Sequence, residues 1–456
     1  MLTAPKVDAN AITNYGRTPL HLAASYAKCD VIAPLLDVPG IQVNVSDKDG
    51  NRPLHAAASG GRSSAIKRLL KAPDIDVNVT NELGLTPLHK VVERGHLETV
   101  KCLVTAPNID VNASTHRMRT PLHLAASCSR YDVIAHLLDM PGIKVNVPDR
   151  GGNRPLHVAA STGHCGNIKC LLAAPKVEVN VTNDLGLTPL HEAVAHGHLD
   201  ATKCLVTAQN INVNASANGM TPLHLAAEGG HYDVIACLLD MPIVDVNAPN
   251  KDGDRPLHVA ASGGHSKAIK CLLKAQDIKV NVANKYGWTP LHKAVEHGSL
   301  YTTKCLLTAP KVNVNAITKY GRTPLHLAAA YAKCDVIARL LDMPGIKVNV
   351  PDRDGSRPLH LAARDGYSNV IKCLLKAVDI EVNADDNMGS TPLHVAVAHG
   401  HYDSTKCLAE APNVDLIARA NSERTVLDEA AVSLQRNYRD GQAIFNYLKF
   451  LSGIAG

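Results

Sequence analysis

Histidine and cysteine are the side chains with the widest chemical choice in this 456-residue chain, which carries 23 His and 12 Cys. A histidine follows Pro-Leu at His21, His55, His89, His123, His157, His191, His224, His258, His292, His326, His360 and His394. Such a row invites a metal reading. Zinc ligands, however, must converge to about 2.0–2.1 Å from one ion, and residues a whole period apart do not converge. Buried polar groups find hydrogen-bond partners, so the row reads as scaffold. The pairs His196-Gly197-His198 and His399-Gly400-His401 are denser. No cysteine or acid completes a four-ligand set around them, and an exposed inter-helix loop accounts for both.

Cys102, Cys170, Cys204, Cys237, Cys271, Cys305, Cys373 and Cys407 share one place in the period, in helix-like runs such as Ile-Lys-Cys-Leu-Leu. A catalytic thiol needs a lowered pKa and a convergent base. Equivalent thiols repeated along a chain argue for small apolar packing instead. Equivalent positions on stacked helices lie about 8–10 Å apart, beyond the Cα separation of about 7 Å that a disulfide tolerates. Neighbours in this row are expected to stay unbonded, as in a reducing compartment. Cys29, Cys128, Cys165 and Cys334 fall outside the row and are expected to be the more exposed thiols. No phosphate loop, nucleophile elbow or converging carboxylate pair stands out. The chain reads as a non-enzyme with no catalytic residues, no cofactor and no metal.

The elements that hold these residues repeat with them. Thr-Pro-Leu-His starts at Thr18, Thr86, Thr120, Thr188, Thr221, Thr289, Thr323 and Thr391. Arg-Pro-Leu-His starts at Arg52, Arg154, Arg255 and Arg357, in phase, with a period of about 34 residues. In the unit from Thr221, the hydroxyl can cap a helix and Pro222 suits its first position. Leu223, Ala226 and Ala227 form an apolar face, and Gly229-Gly230 ends the helix. A second helix buries Val234, Ile235, Leu238 and Leu239, and Pro242 lies past its end. Val244 to Asn247 and the tip Lys251-Asp252-Gly253 read as an extended finger with a turn. Helices of about 8–10 residues are unstable alone, so neighbouring units must support each other.

The recurrent Thr-Pro-Leu-His-x-Ala resembles the ankyrin repeat, over nearly the whole chain. The resemblance implies an all-α repeat solenoid with β-hairpin fingers, a stack forming a curved, elongated rod. It also implies that the motif histidine bonds its own threonine and neighbouring backbone, and that fingers and first helices line a concave side. Residues 1–17 read as a partial repeat, finger only. Residues 18–424 read as twelve repeats in four three-repeat blocks, and 425–456 as a C-terminal capping repeat holding Phe445, Phe450, Tyr438 and Tyr447. Thr3 to Asp37 matches Thr308 to Asp342 closely, so the chain reads as a fragment of a longer array. Most fingers carry Val-Asn. Asn commonly bonds local backbone in turns. The resemblance adds a second reading, hydroxylation, for which Asn78, Asn112 and Asn247 match best.

Several units depart from the pattern. Met118 and Glu423 stand at the tip glycine position, which predicts misshapen fingers. Ala27, Ser129 and Ala332 replace the glycine between helices and put its left-handed turn in doubt. Arg in place of the capping Thr should cost each helix about 1 kcal/mol, partly recovered if the cap shifts to Asn51, Asn153, Asp254 or Ser356.

The formal charge is +5 and the basic residues are scattered singly, which does not support nucleic-acid binding. No apolar run of about 18 residues suggests a membrane span. Recognition should lie where the repeats differ. The tips carry apolar or aromatic residues in two repeats of three: Tyr15, Leu83, Leu185, Met220, Tyr286, Trp288, Tyr320 and Met388. Such residues are enriched at interface hot spots, although rings packed sideways on the adjacent finger would serve the scaffold equally well. Two functional readings follow. One is a monomeric, cytoplasmic, non-catalytic scaffold that binds another protein along its finger and first-helix surface. The other is the targeting part of a larger effector, toxin or enzyme, delivered in the effector case into a host cytosol.

Overall fold

The computed structural model describes residues 8–435 and 440–453, and the expected cap residue Tyr438 lies outside them. Among the described residues it contains 26 helices in the order helix, turn, helix, finger. They fall into two compact units, Met1–Pro222 and Leu223–Gly456.

The first helix of each repeat starts at the motif proline, as in Pro19–Ser25, Pro87–Arg94 and Pro324–Ala330. Thr18 shows the local logic. The His21 N–H donates to Thr18 Oγ1 at 3.4 Å, while the Thr18 N–H donates back to His21 Nδ1 at 3.1 Å. Two helix-end groups are satisfied by one pair of side chains. The proline lacks the N–H that would otherwise be left over.

Packing inside each unit is aliphatic. In the first unit Leu20, Leu54, Leu88 and Leu122 are fully buried, with Ile32, Ile66 and Ile134 of the second helices. In the second unit Leu325, Ile235, Ile269, Ile337 and Ile371 are buried in the same way. Each such side chain contributes about 1.5–3 kcal/mol. Its partners lie both in its own repeat and in the adjoining ones, so the core is continuous between repeats.

The turn between helices needs a left-handed residue and a missing side chain. Gly163 has φ +74°, and a Cβ there would lie 2.7 Å from the His198 ring of the next repeat. The expected doubt about this turn is resolved differently at each departure. Ala27 and Ala332 keep the left-handed conformation, at φ 55° and 56°. At Ser129 the turn is lost, because Cys128 is extended at φ −116° and ψ 150°. The carbonyls it releases are taken by the buried Asn167 of the following repeat. Its Nδ2 donates to Ala125 O, Ala126 O and Cys128 O at 3.2, 3.1 and 2.6 Å.

The fingers are tight hairpin-like turns. Among the described residues only Ala217–Met220 and Arg419–Thr425 form β-bridges. Met118 and Glu423 do not distort their tips. They adopt the left-handed conformation, at φ 59° and 60°, and Met118 N still donates to Thr115 O at 2.8 Å. A non-glycine residue pays about 1–2 kcal/mol for that conformation. Met118→Gly is therefore expected to raise stability by about 1 kcal/mol, after the glycine's entropy cost, seen as a higher urea midpoint with unchanged slope.

Candidate functional site

Within each unit a column of histidines ties every repeat to the next. In the first unit Nε2 of His21, His55, His89, His123, His157 and His191 donates to a finger carbonyl of the following repeat, at 2.8–3.2 Å. In the second, His224, His258, His292, His326, His360 and His394 do the same at 2.9–3.3 Å. Nδ1 accepts from the motif threonine, as at His326 with Thr323 Oγ1 at 2.8 Å, or, where arginine replaces it, from the arginine N–H, as at His55 with Arg52 N at 3.1 Å. The proton must then sit on Nε2. These rings are at most 3% exposed. Burial pushes them below the usual histidine range, to about 4 at His55, His89, His157, His258, His292 and His326. They are neutral, fully engaged and spread one per repeat, so they are neither bases nor converging ligands. The closing unit has Asp428 in this place. Its carboxylate accepts from Thr425 N at 2.9 Å and Thr425 Oγ1 at 2.7 Å, but an ionised carboxylate has no proton to donate onward.

A second column runs along the finger bases. Asn78 Nδ2 donates to Asn108 O at 2.8 Å, and its Oδ1 accepts from Asp110 N at 2.9 Å. Asn112 binds Gly142 O and Lys144 N at 2.9 and 2.8 Å. Asn247 binds Asp277 O and Lys279 N at 2.8 and 2.9 Å. Each amide clamps the next repeat with both ends. The finger asparagines therefore do more than close their own turns.

The tips form a third column. Asp47 Oδ1 accepts from Asp49 N and Asn51 N at 3.1 and 2.8 Å, while Arg17 Nε of the preceding repeat reaches its Oδ2 at 3.4 Å. Arg119–Asp149 and Arg322–Asp352 repeat the pair at 3.3 and 3.2 Å. Burial works against the Asp149 charge, but the N–H groups of Gly151 and Asn153, together with Arg119, hold its carboxyl below the usual range. The expected cap shift does not occur at Asn51, Asn153 or Asp254. Their Oδ1 atoms accept instead from Nδ2 of Asn81, Asn183 and Asn284, at 3.0, 2.9 and 2.7 Å. The arginines that replace the capping threonine turn back onto finger carbonyls, as Arg52 Nη1 does to Gly50 O at 2.7 Å. Nε of Arg52, Arg154 and Arg255 is buried without a hydrogen-bond partner, so the substitution keeps a cost of a different kind.

On these braced tips Tyr15, Leu83, Leu185, Tyr286, Tyr320 and Met388 are 53–75% exposed. Met220 and Trp288 differ, since both are half-buried. Trp288 lies 6.2 Å from the His292 ring and 5.1 Å from Lys293 Nζ, so it packs along its own repeat.

In both His-Gly-His pairs the two rings lie parallel. The His196 and His198 rings stack at 5.8 Å and 8°, and His198 Nε2 bonds Ser161 O at 3.0 Å. Parallel rings do not aim lone pairs at one point. The cysteine expectation needs a correction. Cys165 is no exposed thiol but is disulfide-bonded to Cys204, with Cα atoms 6.3 Å apart. The bond joins the first residue of one second helix to the sixth of the next, and such staggered positions approach more closely than equivalent ones. No two members of the repeating row are bonded to each other. Cys29, Cys128 and Cys334 are half-buried, like most of the row.

A family model described as ankyrin repeats (3 copies) matches residues 1–81, 54–149, 156–250, 257–352 and 325–420. The chain belongs to the ankyrin-repeat family. No curated protein matches it. Among solved structures it is similar to the ankyrin repeat domain of Bcl-3, described as a unique member of the IkappaB protein family. Identity is 30% and the TM-score 0.44, covering 49% of this chain and 98% of that one. Ankyrin repeats are general protein–protein interaction modules, and no helix among the described residues is long and apolar enough to cross a membrane.

The buried histidines set the acid limit of this fold. Their folded pKa lies below the unfolded value of about 6.5. The unfolded chain therefore binds more protons between those values, and stability falls with pH in that window. Full stability is expected above about pH 6.5, with a steep loss toward pH 4. Each histidine shifted to about 4, such as His55, His89 and His292, accounts for up to about 3 kcal/mol. Urea midpoints measured from pH 8 to 4 check this, and His292→Gln should flatten the slope by about one proton.

Proposed function

We propose that this ankyrin-repeat chain is a monomeric, cytosolic, non-catalytic scaffold that grips a partner protein along its finger and first-helix surface. Tyr15, Leu83, Leu185, Tyr286, Tyr320 and Met388 are its anchors, with Met220 and Trp288 at the inner edge. One observation carries the reading: large apolar side chains stand exposed on tips whose backbones are tied to the next repeat. Tyr286 is 53% and Tyr320 63% exposed, yet the carbonyl of Tyr286 accepts from Lys319 N and that of Tyr320 from Arg353 N, both at 3.0 Å. A rigid exposed ring loses little entropy on binding, which is what interface anchors require.

In the same proposal residues 1–17 are a partial repeat, 18–424 twelve repeats in four blocks, and 425–456 the capping repeat. Asn78, Asn112 and Asn247 are its candidates for hydroxylation.

Affinity capture from the native cell, compared between the natural chain and Tyr286→Ala/Tyr320→Ala, tests the anchors. The double variant should lose its specific partner while its stability, from urea unfolding, stays within about 0.5 kcal/mol of the parent. Trp288→Ala should lower that stability by about 1–2 kcal/mol, because its ring also packs on its own repeat. Capture unchanged in the tyrosine variant would contradict the reading.

A further inference from the structure

The residue after the first tip position varies along the chain, and its charge follows a pattern confined to one region. In the first unit it is Asn14, Lys48, Glu82, His116, Arg150, Asp184 and Asn218, a mixture of signs and neutral residues. In the second unit four successive fingers present Lys251, Lys285, Lys319 and Arg353, all exposed. None of the four makes a salt bridge among those found in the described residues. The neighbouring tip positions are Asp252, Tyr286, Tyr320 and Asp354. Two exposed tyrosines thus stand inside a basic row, with an aspartate at either end.

The row is held in register by backbone. Lys285 N donates to Asp252 O at 2.9 Å, and Lys319 N and Arg353 N donate to the carbonyls of Tyr286 and Tyr320. Gly287 makes the close approach possible. Its φ is +80°, and a Cβ there would lie 2.5 Å from Lys319 N. The cations therefore sit at fixed intervals on a braced edge.

Resting on the partner-binding reading above, we propose that the fingers from Lys251 to Arg353 bind an extended acidic peptide segment, with carboxylates on the basic row and apolar side chains against Tyr286 and Tyr320. Neighbouring repeats are about 8–10 Å apart, and an extended chain advances about 3.3 Å per residue. Four fingers then span about nine peptide residues, with an acidic residue about every third position. Charge complementarity selects the sign of the partner. A nucleic acid is disfavoured, because a uniformly charged backbone would meet Asp252 and Asp354, whereas a peptide can vary its charge along its length.

Selection of random dodecapeptides displayed on phage against the full-length chain tests this. Parallel selections use Lys285→Glu/Lys319→Glu and Tyr286→Ala/Tyr320→Ala, both at exposed positions, with the urea midpoint confirming the fold. A single-stranded 12-nucleotide thymidine oligomer is titrated alongside by fluorescence anisotropy. Enriched peptides should carry Asp or Glu about every third residue beside aromatic or aliphatic residues. Their affinity should fall at least tenfold in the charge-reversed variant and weaken with added salt. Peptides without acidic enrichment that still depend on Tyr286 and Tyr320 would overturn the acidic assignment and leave the anchor reading standing. No enrichment, or enrichment indifferent to both variants, would overturn both. Tighter binding of the oligonucleotide than of the selected peptides would overturn the peptide assignment.

Discussion

The bond from a buried imidazole to the next repeat's finger carbonyl is the constraint on which this structure depends. It needs a neutral ring, with Nδ1 accepting and Nε2 donating. The residue before the motif proline, threonine or arginine, supplies the first condition through its N–H, and the following repeat supplies the second. His292 illustrates both, taking the Thr289 hydroxyl at 2.8 Å and reaching Arg322 O at 3.1 Å. Burial adds the rest, because a charged ring at this depth would be desolvated without compensation. Thr, Pro, Leu and His therefore recur together because each solves part of one local problem: start a helix, bury its face, and hold the next finger.

That division of labour leaves little freedom in most of the repeat. The finger asparagines clamp the next base, and the aspartates and asparagines at the tips are braced from both sides. The positions released from these duties are the tip residues that point outward, and there the chain varies. A scaffold of neighbours in fixed register, carrying variable exposed side chains, suits recognition of an extended partner better than chemistry at one point. Ankyrin repeats serve as interaction modules, and in the proposed reading the braced tips would carry that role.

Much of the fold was legible from the motif, because threonine caps, N1 prolines and inter-helix glycines act within a few residues. Part of what escaped was set by residues one repeat away, and part by contacts within a single finger. The disulfide between Cys165 and Cys204 depends on staggered helix positions that equivalent-position spacing does not sample. Met118 was expected to misshape its finger, but hydrogen bonds from Thr115 to Arg119 impose the left-handed turn on it. At Ser129 the lost turn is compensated by Asn167, a residue unremarkable in its own helix. Trp288 read as a tip anchor, whereas its ring lies against His292 and Lys293. One signal was present and missed. Arg17 and Asp47, Arg119 and Asp149, and Arg322 and Asp352 stand at one common separation, which marks a tie between adjacent fingers.

Nitrogen NMR of the imidazoles, in chain labelled at histidine and followed from pH 8 down to the onset of unfolding, addresses the column of buried rings most directly. The account predicts that the motif histidines stay neutral, protonated at Nε2 and bare at Nδ1, throughout the folded range. Motif rings that titrate near pH 6.5 in the folded chain, or that carry the proton on Nδ1, would contradict it.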